Sequence, residues 1–184
     1  MGNVIYLNWR EGERMDRHEI EKIAEKIREE YSINEFPVDP ARIASKLAIP
    51  VKEVTFKRYN DDSVSGGIIK EKNSVKIYVN KTDSMNRKRF TIAHELGHYF
   101  LKHLENKGEY VDMHREALYT NDPNELDANE FAACLLMQSD IVINKFKVLK
   151  NVGFSQDYII YKLSEIFIVS QAAMKNRLRN LRLI

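Results

Sequence analysis

One cysteine stands in a chain of 184 residues, so no internal disulfide can form. That absence suits a reducing compartment. The cysteine lies in Phe131-Ala-Ala-Cys-Leu-Leu-Met137, a setting that predicts a small buried hydrophobe and not a nucleophile. No apolar run approaches the ~20 residues that a membrane helix needs. Val4-Ile5-Tyr6-Leu7 is too short for the core of a signal peptide. Tyr6 stands where a myristoylation signal wants Ser or Thr. A cytoplasmic protein without a membrane partner is therefore expected. Internal repeats and low-complexity tracts are also missing. A net charge of +2 gives no ground for a nucleic-acid partner. The charge is uneven, with acids prevailing from Glu105 to Glu130 and bases from Asn144 onward. Both stretches read first as solvated surface.

What is present is a chain long enough for one real hydrophobic core. Residues 1–15 read as an N-terminal tail and 16–184 as one domain. Ile20, Ile23, Ala24, Ile27 and Tyr31 recur at helical spacing and predict a helix from about Asp16 to Tyr31. Asp39-Pro40 reads as cap and first residue of a second helix, ending near Leu47. Strands are predicted at Val51–Phe56, Gly67–Lys70 and Val75–Val79, the last two joined by a turn at Glu71-Lys72-Asn73-Ser74. Asn60–Ser63 is a polar loop. A helix starts near Asp83 or Ser84 and runs to about Lys102, and Leu104–Asn121 reads as a long loop. Asp122-Pro123 opens a helix that reaches about Gln138. Ser139, Ser155 and Ser170 are candidate caps of three more, the last two helices parting near Ile168-Val169. The fold class is α+β, mostly helical, with a small three-stranded antiparallel sheet beside the helix over 84–102.

That helix carries the chemistry. His94-Glu95-Leu96-Gly97-His98 puts two imidazoles four residues apart on one helical face. The spacing lets both bind one zinc ion, with Glu95 between them as a general base. A catalytic zinc takes three protein ligands and keeps one position open. The metzincin pattern would supply a third ligand six residues past His98, but that position is Leu104. A glutamate on a following helix is the alternative. In Glu125-Leu-Asp-Ala-Asn129, Glu125 and Asn129 share a face, so Glu125 can bind the metal while Asn129 hydrogen-bonds a ligand imidazole. Ala128 beside them is small enough for two helices to approach closely. Glu125 has a second reading, since Asp122 and Glu125 also have the spacing of a capping box. His103 falls about half a turn off the metal face and reads as structural. His18 reads as solvent-facing, and Trp9 as an anchor for the tail or an interface.

Arg89-Phe-Thr-Ile-Ala-His-Glu-Leu-Gly-His98 and Glu125-Leu-Asp-Ala-Asn-Glu-Phe-Ala-Ala-Cys-Leu-Leu-Met137 together resemble the ImmA/IrrE metallo-endopeptidases, a gluzincin-like family. Pro37-Val-Asp-Pro40 with Ile43-Ala44 resembles the family's N-terminal helix, and Gly66-Gly67 its sheet. Gln138 replaces a proline that often follows the second motif, at the helix end and away from the metal. The resemblance implies a zincin-like fold, Zn2+ as cofactor and His94, His98 and Glu125 as its ligands. It favours the ligand reading of Glu125. Glu95 then takes the proton of an attacking water and passes it to the leaving amine.

The resemblance further implies a protein substrate, a helix-turn-helix repressor in a mobile-element, prophage or stress response. The acidic stretch Glu105–Glu116 would suit such a basic partner. A peptide is expected to pair with a sheet edge beside Val75–Asn80. His114, Tyr110 and Tyr119 are candidate oxyanion donors, each with an ordinary packing role as its alternative. Two other readings exist. The protein could sequester a repressor or antitoxin without cutting it, with zinc as a structural element. Alternatively, Tyr158–Phe167 and Gln171–Leu181 resemble a helix-turn-helix whose Lys175, Arg177 and Arg179 could meet phosphates. Apolar faces on both segments favour completion of the core instead, so direct nucleic-acid binding is not expected.

Overall fold

The computed structural model describes residues 14–56, 64–71, 74–104 and 121–184, and 109–111 and 114–115 by their backbone. Most of the tail with Trp9, the loop over 60–63, the middle of the turn at 72–73, most of the acidic stretch 105–116 and Tyr119 lie outside the described residues.

The helices begin where short polar side chains cap them. Asp16 accepts from the His18 N–H and opens α1 (Arg17–Glu30), whose Ile20, Ile23, Ala24 and Ile27 are buried. Asp39 and Pro40 open α2 (Pro40–Lys46). Ser84 caps α3 (Met85–Phe100) and Asp122 caps α4 (Pro123–Leu136). Ser155 and Ser170 cap α6 (Gln156–Phe167) and α7 (Gln171–Asn180). Ser139 does not cap α5 (Ser139–Asn151). It is the first helical residue, and Gln138 holds the cap position without a side-chain bond.

The sheet departs from expectation in two ways. Strands β1 (Val51–Val54), β2 (Val64–Glu71) and β3 (Ser74–Asn80) are not all antiparallel. β2 and β3 form the expected antiparallel pair, with Ile68 opposite Ile77, but β1 runs parallel to β3, with Val51 opposite Ile77. β3 is therefore the middle strand. Its alternation reports which side chains are buried and says nothing of which neighbour lies on each side. Two further strands, β4 (Glu109–Val111) and β5 (His114–Arg115), pair with the far side of β2, in a stretch expected to be loop. Two or three residues are too few to show a period of two. With β3 flanked on both sides over Ile77–Val79, that part of the expected docking strand is not an edge to which a peptide could add.

Helix α3 lies at the centre, against β2 and β3, α2 and α4. Gly66 is where β2 meets it, since a Cβ there would stand 2.4 Å from Thr91 Cγ2. Arg89 ties α3 outward, donating to the carbonyls of Val38 at 2.7 Å and Ile168 at 3.3 Å. Among the described residues, no helix is long and apolar enough to cross a membrane.

Candidate metal centre

The middle of α3 is buried all round. Thr91, His94, Glu95 and His98 have no exposed surface. Burying three ionisable side chains in one turn and a half is costly unless they are paired or hold an ion. The two histidines find partners on α4, in Glu125 and Asn129. Gly97 on α3 faces Ala128 on α4, where an added Cβ would sit 3.0 Å from the Ala128 Cα and 3.1 Å from its carbonyl oxygen. Two small residues thus let the helices close, and the side chains on either side of Ala128 reach the imidazoles.

Three ligand atoms meet there. His94 Nε2 and His98 Nε2 are 3.0 Å apart. Glu125 Oε2 lies 3.3 Å from His94 Nε2, and Oε1 lies 3.2 Å from His98 Nε2. Among the described residues, His94, His98 and Glu125 form the group able to hold a metal ion. Asp122 caps α4 with its own carboxylate, which accepts from the Asn124 N–H at 2.9 Å. Glu125 turns both oxygens to the histidines, which the capping reading does not require.

The trio fits zinc by a simple measure. Tetrahedral ligands about 2.0–2.1 Å from the ion lie about 3.3–3.4 Å from one another. Two imidazoles and a carboxylate are also a donor set that zinc accepts with one position left open. The tautomers agree as well. Asn129 Oδ1 lies 3.0 Å from His94 Nδ1. An amide oxygen only accepts, so His94 carries its proton on Nδ1 and aims a lone pair from Nε2 at the trio. Asn129 thus stands where the i,i+4 spacing from Glu125 put it.

Glu95 is buried between the histidines on α3 and stands outside the trio. The backbone of Tyr110 is in β4 and that of His114 in β5, but their side chains, like the whole of Tyr119, lie outside the described residues. His103 is not at the metal-ligand position, yet it is 3 % exposed and its Nδ1 lies 3.0 Å from His98 Nδ1. The half-turn offset held only for a continuous helix. In the structure Leu101 ends α3 and Lys102 takes a left-handed φ of 64°. The chain turns back, and His103 comes under His98. Nothing local marks Lys102 for that conformation, which favours glycine.

At the other end of the chain, Arg177 is turned inward and 2 % exposed. It donates to the Met137 carbonyl oxygen at 3.0 Å and to Glu21 at 2.6 Å, so it is not available to a phosphate. Lys175 and Arg179 are exposed.

No curated protein matches the chain. A family model does match, over residues 45–179, from the end of α2 to the last turn of α7. The match covers most of the chain and spans both helices that build the trio. The chain thus belongs to the peptidase family Peptidase_M78, described as the IrrE N-terminal-like domain.

Proposed function

We propose that this protein is a zinc-dependent endopeptidase of zincin-like architecture, with His94, His98 and Glu125 as metal ligands. The observation that carries the reading is the convergence of the three ligand atoms, 3.0–3.3 Å apart, beside the buried Glu95. When bound, zinc supplies Lewis-acid polarisation of the scissile carbonyl and a water acidic enough to ionise near neutral pH. Glu95 takes the proton from the attacking water and delivers it to the leaving nitrogen. Asn129, accepting from His94 Nδ1–H, would hold His94 in the tautomer whose Nε2 can bind a metal. The buried setting strengthens each of these electrostatic contacts by excluding water.

The substrate we propose is a helix-turn-helix repressor or a similar DNA-binding regulator, on the strength of family resemblance. The compartment we propose is the cytoplasm, since the single cysteine is free and buried.

Two variants test the reading. Wild type should bind one zinc per chain and cut a repressor substrate. Glu125→Ala should lose the metal. Glu95→Gln should keep the metal and lose at least about 100-fold in kcat, the usual scale for a general base. A Glu95→Gln protein that binds zinc and still relieves repression fully would point to sequestration instead of cleavage.

A further inference from the structure

His94 has an acceptor for its outer nitrogen in Asn129, and the corresponding question for His98 has an answer outside the motif. For His98 to present an Nε2 lone pair to an ion as a neutral imidazole, its proton must sit on Nδ1 and needs an acceptor. Among the described residues, His103 Nδ1 lies within hydrogen-bond reach of that nitrogen, at 3.0 Å. We propose that His103 is a positioning residue for the metal centre, accepting from His98 Nδ1–H and holding His98 in its metal-binding tautomer. The inference rests on the metal-centre reading above.

The local backbone is built for this contact. Lys102, left-handed at φ 64°, donates its N–H to the Tyr99 carbonyl oxygen at 3.4 Å, and the His103 N–H bonds the His98 carbonyl oxygen at 3.0 Å. This is the six-to-one pairing of a Schellman helix end. His103 is thus bound to His98 through both backbone and ring. The ring centroids stand 5.0 Å apart with the planes inclined at 69°, so the two rings do not stack and the contact between them is the one between nitrogens. Leu101 and Leu104, 2 % and 4 % exposed, are buried on either side of the turn, as is His103 itself. Since His98 donates, His103 must keep its Nδ1 bare and carry its own proton on Nε2.

The test is zinc affinity, measured by competition with a chromophoric chelator, in wild type, His103→Phe and His103→Asn. Phenylalanine keeps a ring and removes the acceptor. Asparagine places Oδ1 where Nδ1 was. The expected result is a loss of about 10–100-fold for His103→Phe, the scale of lost outer partners of metal-bound histidines, and near wild-type affinity for His103→Asn. Unchanged affinity in both variants overturns the proposal, as does an asparagine variant as weak as the phenylalanine one. Should His103→Phe fail to fold, nitrogen-resolved NMR of the zinc-loaded wild type decides. His103 protonated only on Nε2 supports the proposal, and a proton on its Nδ1 overturns it. Glu125→Ala separates the two levels of argument. If wild type binds one zinc and this variant none, failure at His103 is a failure of this inference alone. A wild type that binds no zinc brings down the metal centre and this proposal with it.

Discussion

Cys134 is 1 % exposed, and burial pushes its thiol pKa up to about 12. Arg177 Nη1 lies 3.4 Å from the sulfur and opposes the shift without cancelling it. Because the thiolate is the reactive form, the residue should be inert in the folded protein. Iodoacetamide at pH 8 is expected to leave native Cys134 unmodified and to label it once the chain is unfolded. Native labelling at the unfolded rate would contradict the burial argument. The linkage runs in the matching direction. Below about pH 8.5 both folded and unfolded chains carry the thiol, and nothing changes. Above that the unfolded chain ionises first, so this residue's contribution to stability is lost as pH climbs toward 12.

At the scale of elements, the site depends on how closely α3 and α4 approach. Gly97 faces Ala128 and also Phe131, whose Cδ1 would lie 3.2 Å from an added Cβ. The nearest atoms belong to the Ala128 backbone, which cannot rotate away as a side chain would. Gly97→Ala must therefore push the helices apart by a few tenths of an ångström. Overpacking of this kind costs about 1–3 kcal/mol, partly offset by the better helix propensity of alanine. The expected outcome is lower stability in urea unfolding together with weaker zinc binding, because His94 and His98 ride on one helix and Glu125 on the other. Wild-type zinc affinity in that variant would show that the trio does not depend on the close packing.

For the whole molecule, Arg177 joins parts of the chain far apart in sequence. It reaches Glu21 on α1, the Met137 carbonyl at the end of α4, and Glu130 at 3.7 Å. Asn180 on α7 donates to Glu130 at 3.2 Å, and Arg17 on α1 lies 3.5 Å from the same carboxylate. Removing one member of a buried charge network leaves the others uncompensated. Arg177→Ala is expected to cost about 3–5 kcal/mol, whereas Lys175→Ala and Arg179→Ala on the exposed side should stay within about 0.5 kcal/mol. Denaturant unfolding of the three variants checks this. With Arg177 inside, α7 presents a thin basic surface, and no duplex affinity is expected at low salt. An affinity lost on replacing Lys175 and Arg179 would restore a nucleic-acid role.

Much of this was open to inspection in the residue order. The helix caps at Asp39, Asp122, Ser155 and Ser170, the apolar stripes and the His94–His98 pair all express contacts within four residues, which local spacing encodes directly. The pairing of Glu125 and Asn129 with those histidines was readable from their shared helical face only together with the family resemblance, because spacing alone also allowed a capping role for Glu125. Three features had no such signature. The parallel placement of β1 beside β3 depends on which strand wins a neighbour. The inward course of Arg177 depends on carboxylates up to 156 residues away in sequence. The seat of His103 depends on Lys102 accepting a left-handed turn that the surrounding core stabilises. Short-range order along the chain determined the helices and the metal-binding face, while packing across the chain decided what that face meets, because burial energy is shared among segments that no local pattern connects.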